Sequence, residues 1–292
     1  MYKEIDANKR KSAFIMVFFV AFASAIAYIG GYYAGGKSFA PYAIIAAFAY
    51  TLFSYFAGAK MALALNGAHE ITKQQEPRLY RTVENLAITN GMPMPKVYVI
   101  EDAGLNAFAT GRDPNHSAVC ATRGLLNSLT DVELQGVMAH ELGHVKNYDI
   151  RVSLIAFALA SIIGIISDLV LRMWFWGGSD DDAPSNPVFM AIGVVAILLS
   201  PFVAMLIQLA ISRRREYLAD ATGALTTRYP EGLASALEKL EQQGSALKRQ
   251  SSSTAHLFFA NPLKGKTLAG LFSTHPPIQD RIARLRQMGQ GG

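Results

Sequence analysis

Cysteine is almost absent from this chain: there is one among 292 residues. That excludes a disulfide scaffold and a zinc cluster closed by four thiolates, and a lone thiol fits a reducing compartment. Charge is scarce too, at 17% of residues against 51% hydrophobic, which excludes a disordered or collagen-like chain. The mean hydropathy is +0.21. The scarcity is uneven. Residues 12–36, 38–59 and 183–212 carry no formal charge, and 152–171 carry only Asp168. A spanning helix needs about 20 apolar residues, so four stretches qualify. They are read as transmembrane helices at 12–36, 38–59, 152–176 and 187–212, leaving hydrophilic stretches at 60–150 and 213–292. The first is too long for the apolar core of a cleaved signal and is read as a retained anchor. Asp168 precedes Arg172 by four residues, and an ion pair on one helix face accounts for it.

The net charge is +5, and its placement matters more than its size. Lys3, Lys9, Arg10 and Lys11 precede the first stretch, and Arg213, Arg214 and Arg215 follow the fourth. Asp180, Asp181 and Asp182 lie between the third and fourth. The positive-inside tendency then puts both termini in the cytoplasm, with Trp174 and Trp176 at the outer interface. The two hydrophilic stretches fall on one side, so a site can be assembled from both. Basic residues gathered at membrane flanks, without an aromatic-rich motif, argue against nucleic acid and for a lipid bilayer as the charged partner.

Within 60–150 the pattern predicts a helix over 76–90, with Pro77 in its first turn and Leu79, Val83, Leu86 and Ala87 on one face. Val97–Ile100 and Ser117–Thr122 read as short strands. The small-residue run Asn106-Ala107-Phe108-Ala109-Thr110-Gly111 reads as an edge strand or a loop. Cys120 is a small buried hydrophobe, and His69, His116 and His256 lack ligand spacing. Thr130 and Glu133 form a capping box, and Leu134, Val137, Met138, Leu142 and Val145 follow at helical spacing. In the C-terminal stretch, Leu233–Leu240 and Ile278–Leu285 read as helices.

The capped helix contains His140-Glu141-Leu142-Gly143-His144. Histidines four apart share a helix face, so both imidazoles reach one tetrahedral cation, while the adjacent Glu141 can contact an activated water. Zinc hydrolases use a third protein ligand. Asn147 and Ile150 stand where a downstream glycine and histidine would be needed for the extended three-histidine pattern, so that ligand comes from elsewhere. Glu216 lies just beyond the fourth apolar stretch, near the same membrane face. It is either the ligand or the partner of a neighbouring base such as Arg213. Asp220 shares its helix face and can orient a histidine.

His140-Glu-Leu-Gly-His144, Ser212-Arg-Arg-Arg-Glu216-Tyr-Leu-Ala-Asp220 and Ser273-Thr-His275-Pro-Pro resemble the HtpX-type membrane zinc endopeptidases, gluzincins related to the CAAX prenyl endopeptidase. The resemblance covers nearly the whole chain. It implies a mainly α protein of four transmembrane helices with a cytoplasmic α+β zincin-like catalytic domain and a small sheet. It further implies one Zn²⁺ held by His140, His144 and Glu216, Glu141 as catalytic base, and Asp220 in support. Asn106–Gly111 matches the family's segment beside the substrate cleft, so its backbone is the expected substrate edge. The implied role is quality control of damaged or misassembled proteins at the bacterial inner membrane, with membrane or unfolded proteins as substrates. His275 is read either as an oxyanion or cleft residue or as a helix start, and Arg281 as the partner of a carboxylate near the site. An intramembrane protease fits less well, because Asp131, Glu133, Lys146 and Asp149 flank the motif.

Overall fold

The computed structural model describes residues 40–158, 213–244, 247, 254, 257–260 and 276–290, together with 6–10, 12–18, 20, 21, 24 and 28. Expectations for the stretches 159–212 and 261–275, including Asp168, Trp174, Trp176 and His275, lie outside these residues, as does His256.

Helices surround one small sheet. Helix α1 (Ala40–Leu65) leads to β1 (Ala68–Glu70), α2 (Pro77–Thr89), β2 (Lys96–Ile100), β3 (Ala107–Asp113) and β4 (His116–Thr122). Then come α3 (Arg123–Ser128), α4 (Asp131–Lys146), α5 (Arg213–Thr227), α6 (Pro230–Gln243) and α7 (Ile278–Gln290). Residues 6–10, 12–18 and 149–158 are helical too. The sheet order is β1-β2-β4-β3; β2 and β4 run parallel, and the other neighbours antiparallel. Gly111 lies where β3 bulges, at φ 143°, and a Cβ there would come within 2.3 Å of the His116 carbonyl oxygen. No other residue fits that turn.

Both faces of the sheet are covered, which follows from the strand pleat. Val97, Val99, Ala107, Ala109, Val119 and Ala121 enter one core with α2, α4 and α6. Phe108, Ala118 and Cys120 enter another with Ala62, Leu63, Leu154 and Phe157. Helix α4 sits at the centre, with Leu134, Val137, Met138, Leu142 and Val145 all fully buried. Glu133 caps it by accepting from the Thr130 N–H at 2.7 Å and takes a second bond from Lys239 Nζ, also at 2.7 Å. A helix buried on all sides needs partners around its circumference, and the sheet with α2, α5 and α6 provides them.

Two features differ from the sequence reading. The second apolar stretch, expected to end at 59, stays helical to Leu65 because Met61, Ala62, Leu63 and Ala64 are good helix formers; Gly67, at φ 68°, turns the chain just beyond. Strand β1 and helix α3 were not expected. Three residues with an exposed pattern give no alternation to detect, and α3 is only six residues long. Among the described residues, one helix is long and apolar enough to cross a membrane, at Ile44–Leu65.

Candidate metal centre

His140 and His144 project from the same face of α4 toward the first turns of α5. The two Nε2 atoms lie 3.1 Å apart. Glu216 brings Oε1 to 3.4 Å from His144 Nε2 and Oε2 to 3.8 Å from His140 Nε2. Bonds of 2.0–2.2 Å around a tetrahedral Zn²⁺ would separate ligand atoms by about 3.3–3.5 Å. The observed spacings bracket that value, so the donor set fits one zinc ion. The helices approach closely enough for this because α5 offers a glycine: a Cβ on Gly223 would lie 3.1 Å from the His140 backbone nitrogen.

The other nitrogen of each imidazole meets a carboxylate. His140 Nδ1 lies 2.9 Å from Asp220 Oδ1, and His144 Nδ1 lies 3.0 Å from Asp149 Oδ2. A carboxylate accepts, so each Nδ1–H donates and each Nε2 is left as a lone pair. Two lone pairs facing each other at 3.1 Å repel unless a single proton or a metal ion sits between them. Arg281, 1% exposed, completes the His140 side: Nε and Nη2 donate to Asp220 at 2.9 and 2.7 Å, and Nη1 lies 3.8 Å from Glu216 Oε2. The Phe259 ring lies edge-on to His140 at 4.9 Å and beneath the Arg281 guanidinium at 4.7 Å, shutting water from that side.

Burial dominates the electrostatics. It pushes the His140 imidazolium down to about 4 and the Glu141 carboxyl up to about 7, the latter with help from the Glu216 charge. Burial also opposes charge on His144, but the Asp149 hydrogen bond and the Glu216 carboxylate outweigh it and lift His144 to about 9. A divalent cation among these groups inverts that preference, since a ligating nitrogen must be deprotonated. For Asp220, burial is overcome by the Arg281 charge and His140, which hold it below the usual carboxylate range.

Glu141 is 2% exposed and is hydrogen-bonded by the Ala109 backbone N–H of β3. Strand β3 is one of the two outer strands of the sheet, and part of its free edge is already engaged. The Phe259 N–H donates to the Ala107 carbonyl at 2.8 Å; the Asn106 side chain holds Ala260 through both its N–H, at 3.1 Å, and its C=O, at 2.8 Å. The backbone of Ala109 shares the Ala107 edge by alternation, whereas Phe108 and Thr110 face β4.

The structure therefore brings His140, Glu141, His144, Glu216, Asp220 and Arg281 together, with Asn106–Thr110 alongside. Of the carboxylates open to Arg281, it selects Asp220 and, more distantly, Glu216. Asp149 was noticed in the sequence only as a flanking charge. It reaches His144 because the chain turns back after α4 through Tyr148 at φ 61°, a conformation that no sequence signal marks. His69 and His116 pair with Glu101 and Asp113, away from the site.

Comparison with known proteins agrees with this geometry. The sequence profile described as "Peptidase family M48" matches residues 73–289. A "Protease HtpX homolog" from Tropheryma whipplei (strain TW08/27) is 52% identical over 290 residues, covering 99% of each chain. Another, from Listeria monocytogenes serotype 4b (strain CLIP80459), is 43% identical over 306 residues, covering 99% of this chain and 100% of that one. The crystal structure of S. mikatae Ste24p aligns with a TM-score of 0.52 at 19% identity, over 98% of this chain and 67% of that chain, a likeness of fold.

Proposed function

Since the chain belongs to peptidase family M48 and is a zinc metalloprotease of the HtpX type, we propose that it cleaves damaged or misassembled membrane proteins at the cytoplasmic face of a bacterial inner membrane. His140, His144 and Glu216 are the proposed zinc ligands and Glu141 the proposed general base. The observation that carries the reading is the pair of imidazole lone pairs aimed at one point beside the Glu216 carboxylate, each imidazole braced from behind by an aspartate.

Zn²⁺ held there supplies Lewis acidity to a water and to the scissile carbonyl. Glu141, buried beside the site, would accept the proton of the attacking water and pass it to the departing amine nitrogen. Asp220 and Asp149 keep both Nε2 lone pairs pointed inward. The carbonyl of Ala109, whose N–H is held by Glu141, is the proposed pairing point for substrate main chain, which gives sequence-tolerant affinity suited to varied substrates. Replacing Ala109 with Pro removes the N–H that Glu141 accepts as well as distorting the edge, so it should lower kcat and raise KM severalfold with zinc retained; unchanged kinetics would remove the edge from the account.

The proposed topology has four spans at 12–36, 38–59, 152–176 and 187–212, with catalytic parts 60–150 and 213–292 in the cytoplasm. Helix α1 supports it: Tyr42, Ile45, Phe48, Phe53 and Phe56 are each more than half exposed, a stripe that lipid would cover. Cys120 is buried, so single cysteines placed near 37, 180 and 245 can be labelled from each side against a low background. Labelling at 245 from the periplasm would contradict the orientation. Activity is tested by casein hydrolysis with and without chelator, alongside zinc content. Glu141→Gln should keep zinc and lose about 10²–10⁴-fold in rate; full activity would overturn its role.

A further inference from the structure

Asp149 braces His144 through Oδ2, and its other oxygen does not face solvent. Asn8, from the short helical segment before the first apolar stretch, is 6% exposed and places its amide nitrogen 2.8 Å from Asp149 Oδ1. The same nitrogen lies 2.8 Å from the Asn147 carbonyl oxygen. An amide carries two N–H groups, and both are used here. One ties the end of α4, and the other ties the aspartate that follows it, so Asn8 closes the left-handed turn at Tyr148 that points Asp149 back at His144. Lys9 seats the segment, with Nζ 4.7 Å from the Tyr148 ring centroid. Arg215 Nε approaches Asp149 Oδ1 at 3.7 Å, supplying charge at longer range than the Asn8 hydrogen bond.

We propose that Asn8 is a positioning residue for the metal centre: its amide, 141 positions from Asp149 in sequence, orients that carboxylate and through it His144. The inference rests on His144 being a zinc ligand. It means that the segment leading into the first apolar stretch helps to set zinc retention, so the grip on the metal depends on how the N-terminus is seated against α4. Asn8 does not touch substrate or the reacting atoms, and its influence passes through Asp149.

The test uses the full chain in detergent or nanodiscs and follows zinc loss to a chromogenic chelator, with thermal unfolding of the zinc-free protein measured in parallel. Asn8→Ala should weaken zinc retention about tenfold, the low end for groups that support zinc ligands from behind. Asn8→Asp, nearly the same shape but unable to donate and repelled by Asp149, should weaken it at least as much. A purely packing role predicts that Asn8→Asp is neutral. In an Asp149→Asn background, Asn8→Ala should add less than about twofold, because the route has already been cut. The inference is overturned if both Asn8 variants hold zinc like the native chain, if zinc loss only follows a fall in stability of the zinc-free protein, or if the two substitutions act independently. His144→Ala in the same assay separates the premises: if it retains stoichiometric zinc, the ligand assignment fails, whatever the Asn8 variants do.

Discussion

The two histidines of the centre stand four residues apart on one helix, yet their supports differ. His140 leans on Asp220, which a buried guanidinium grips through two bonds, and an aromatic ring closes its outer side. His144 leans on Asp149, which takes a neutral amide at 2.8 Å and a guanidinium only at 3.7 Å. The His140 side chain is 1% exposed and the His144 side chain 16%. One side is thus a charge-balanced, dry brace; the other is lighter and reaches the N-terminal segment. The aspartates themselves are almost equally buried, at 4% and 5% exposed, so the contrast lies in how closely each charge is paired, and Asp220 has the closer ion pair.

The most damaging way to break the contrast is Arg281→Met. It strands the Asp220 charge in a dry site and should cost about 3–5 kcal/mol of stability, read by thermal unfolding; a loss below 1 kcal/mol would mean that the His140 brace is not charge-balanced. Next come the aspartates. Asp220→Asn should weaken zinc binding about 100-fold and Asp149→Asn about tenfold, the two ends of the range for such supports. Chelator competition measures both, and equal losses would erase the asymmetry.

Gly223→Ala presses a methyl group toward the His140 backbone and should cost about 1–2 kcal/mol by overpacking, with zinc retention falling alongside. An unchanged melting temperature would show that the helix approach has slack. The smallest effect belongs to the far end of α4. Burial opposes the Glu133 charge, but Lys239 and the Thr130 N–H hold it below the usual carboxylate range. Its contribution is therefore present above the unfolded carboxylate pKa of about 4.3 and is lost as pH falls through the lower folded value. Glu133→Gln should melt about 1 kcal/mol less stably at neutral pH, as for a lost helix cap. That deficit should vanish toward pH 3, with zinc affinity unchanged.

The parts legible in the sequence are those with a local signature. The Thr130–Glu133 box, the apolar spacing of α4 and the four-residue interval between histidines need only neighbouring residues to be read. Glu216 and Asp220 were reachable because they too share one helix face. The Asp149 contact was not, because it depends on a left-handed residue at Tyr148, which carries no glycine to announce it. Nor was Asn8, whose partners lie 139 and 141 positions away and leave no periodic trace. Engagement of the Asn106–Ala107 edge by residues 259–260 is hidden for the same reason. Periodicity reports which face of an element is buried, but not which distant segment buries it.

The most direct measurement is zinc per chain in the purified full-length protein and three variants. The account predicts close to one zinc in the native chain and in Glu141→Gln, and less than about a tenth of that in Glu216→Ala and in His140→Ala. Native protein free of zinc, or Glu216→Ala retaining a full equivalent, would contradict it.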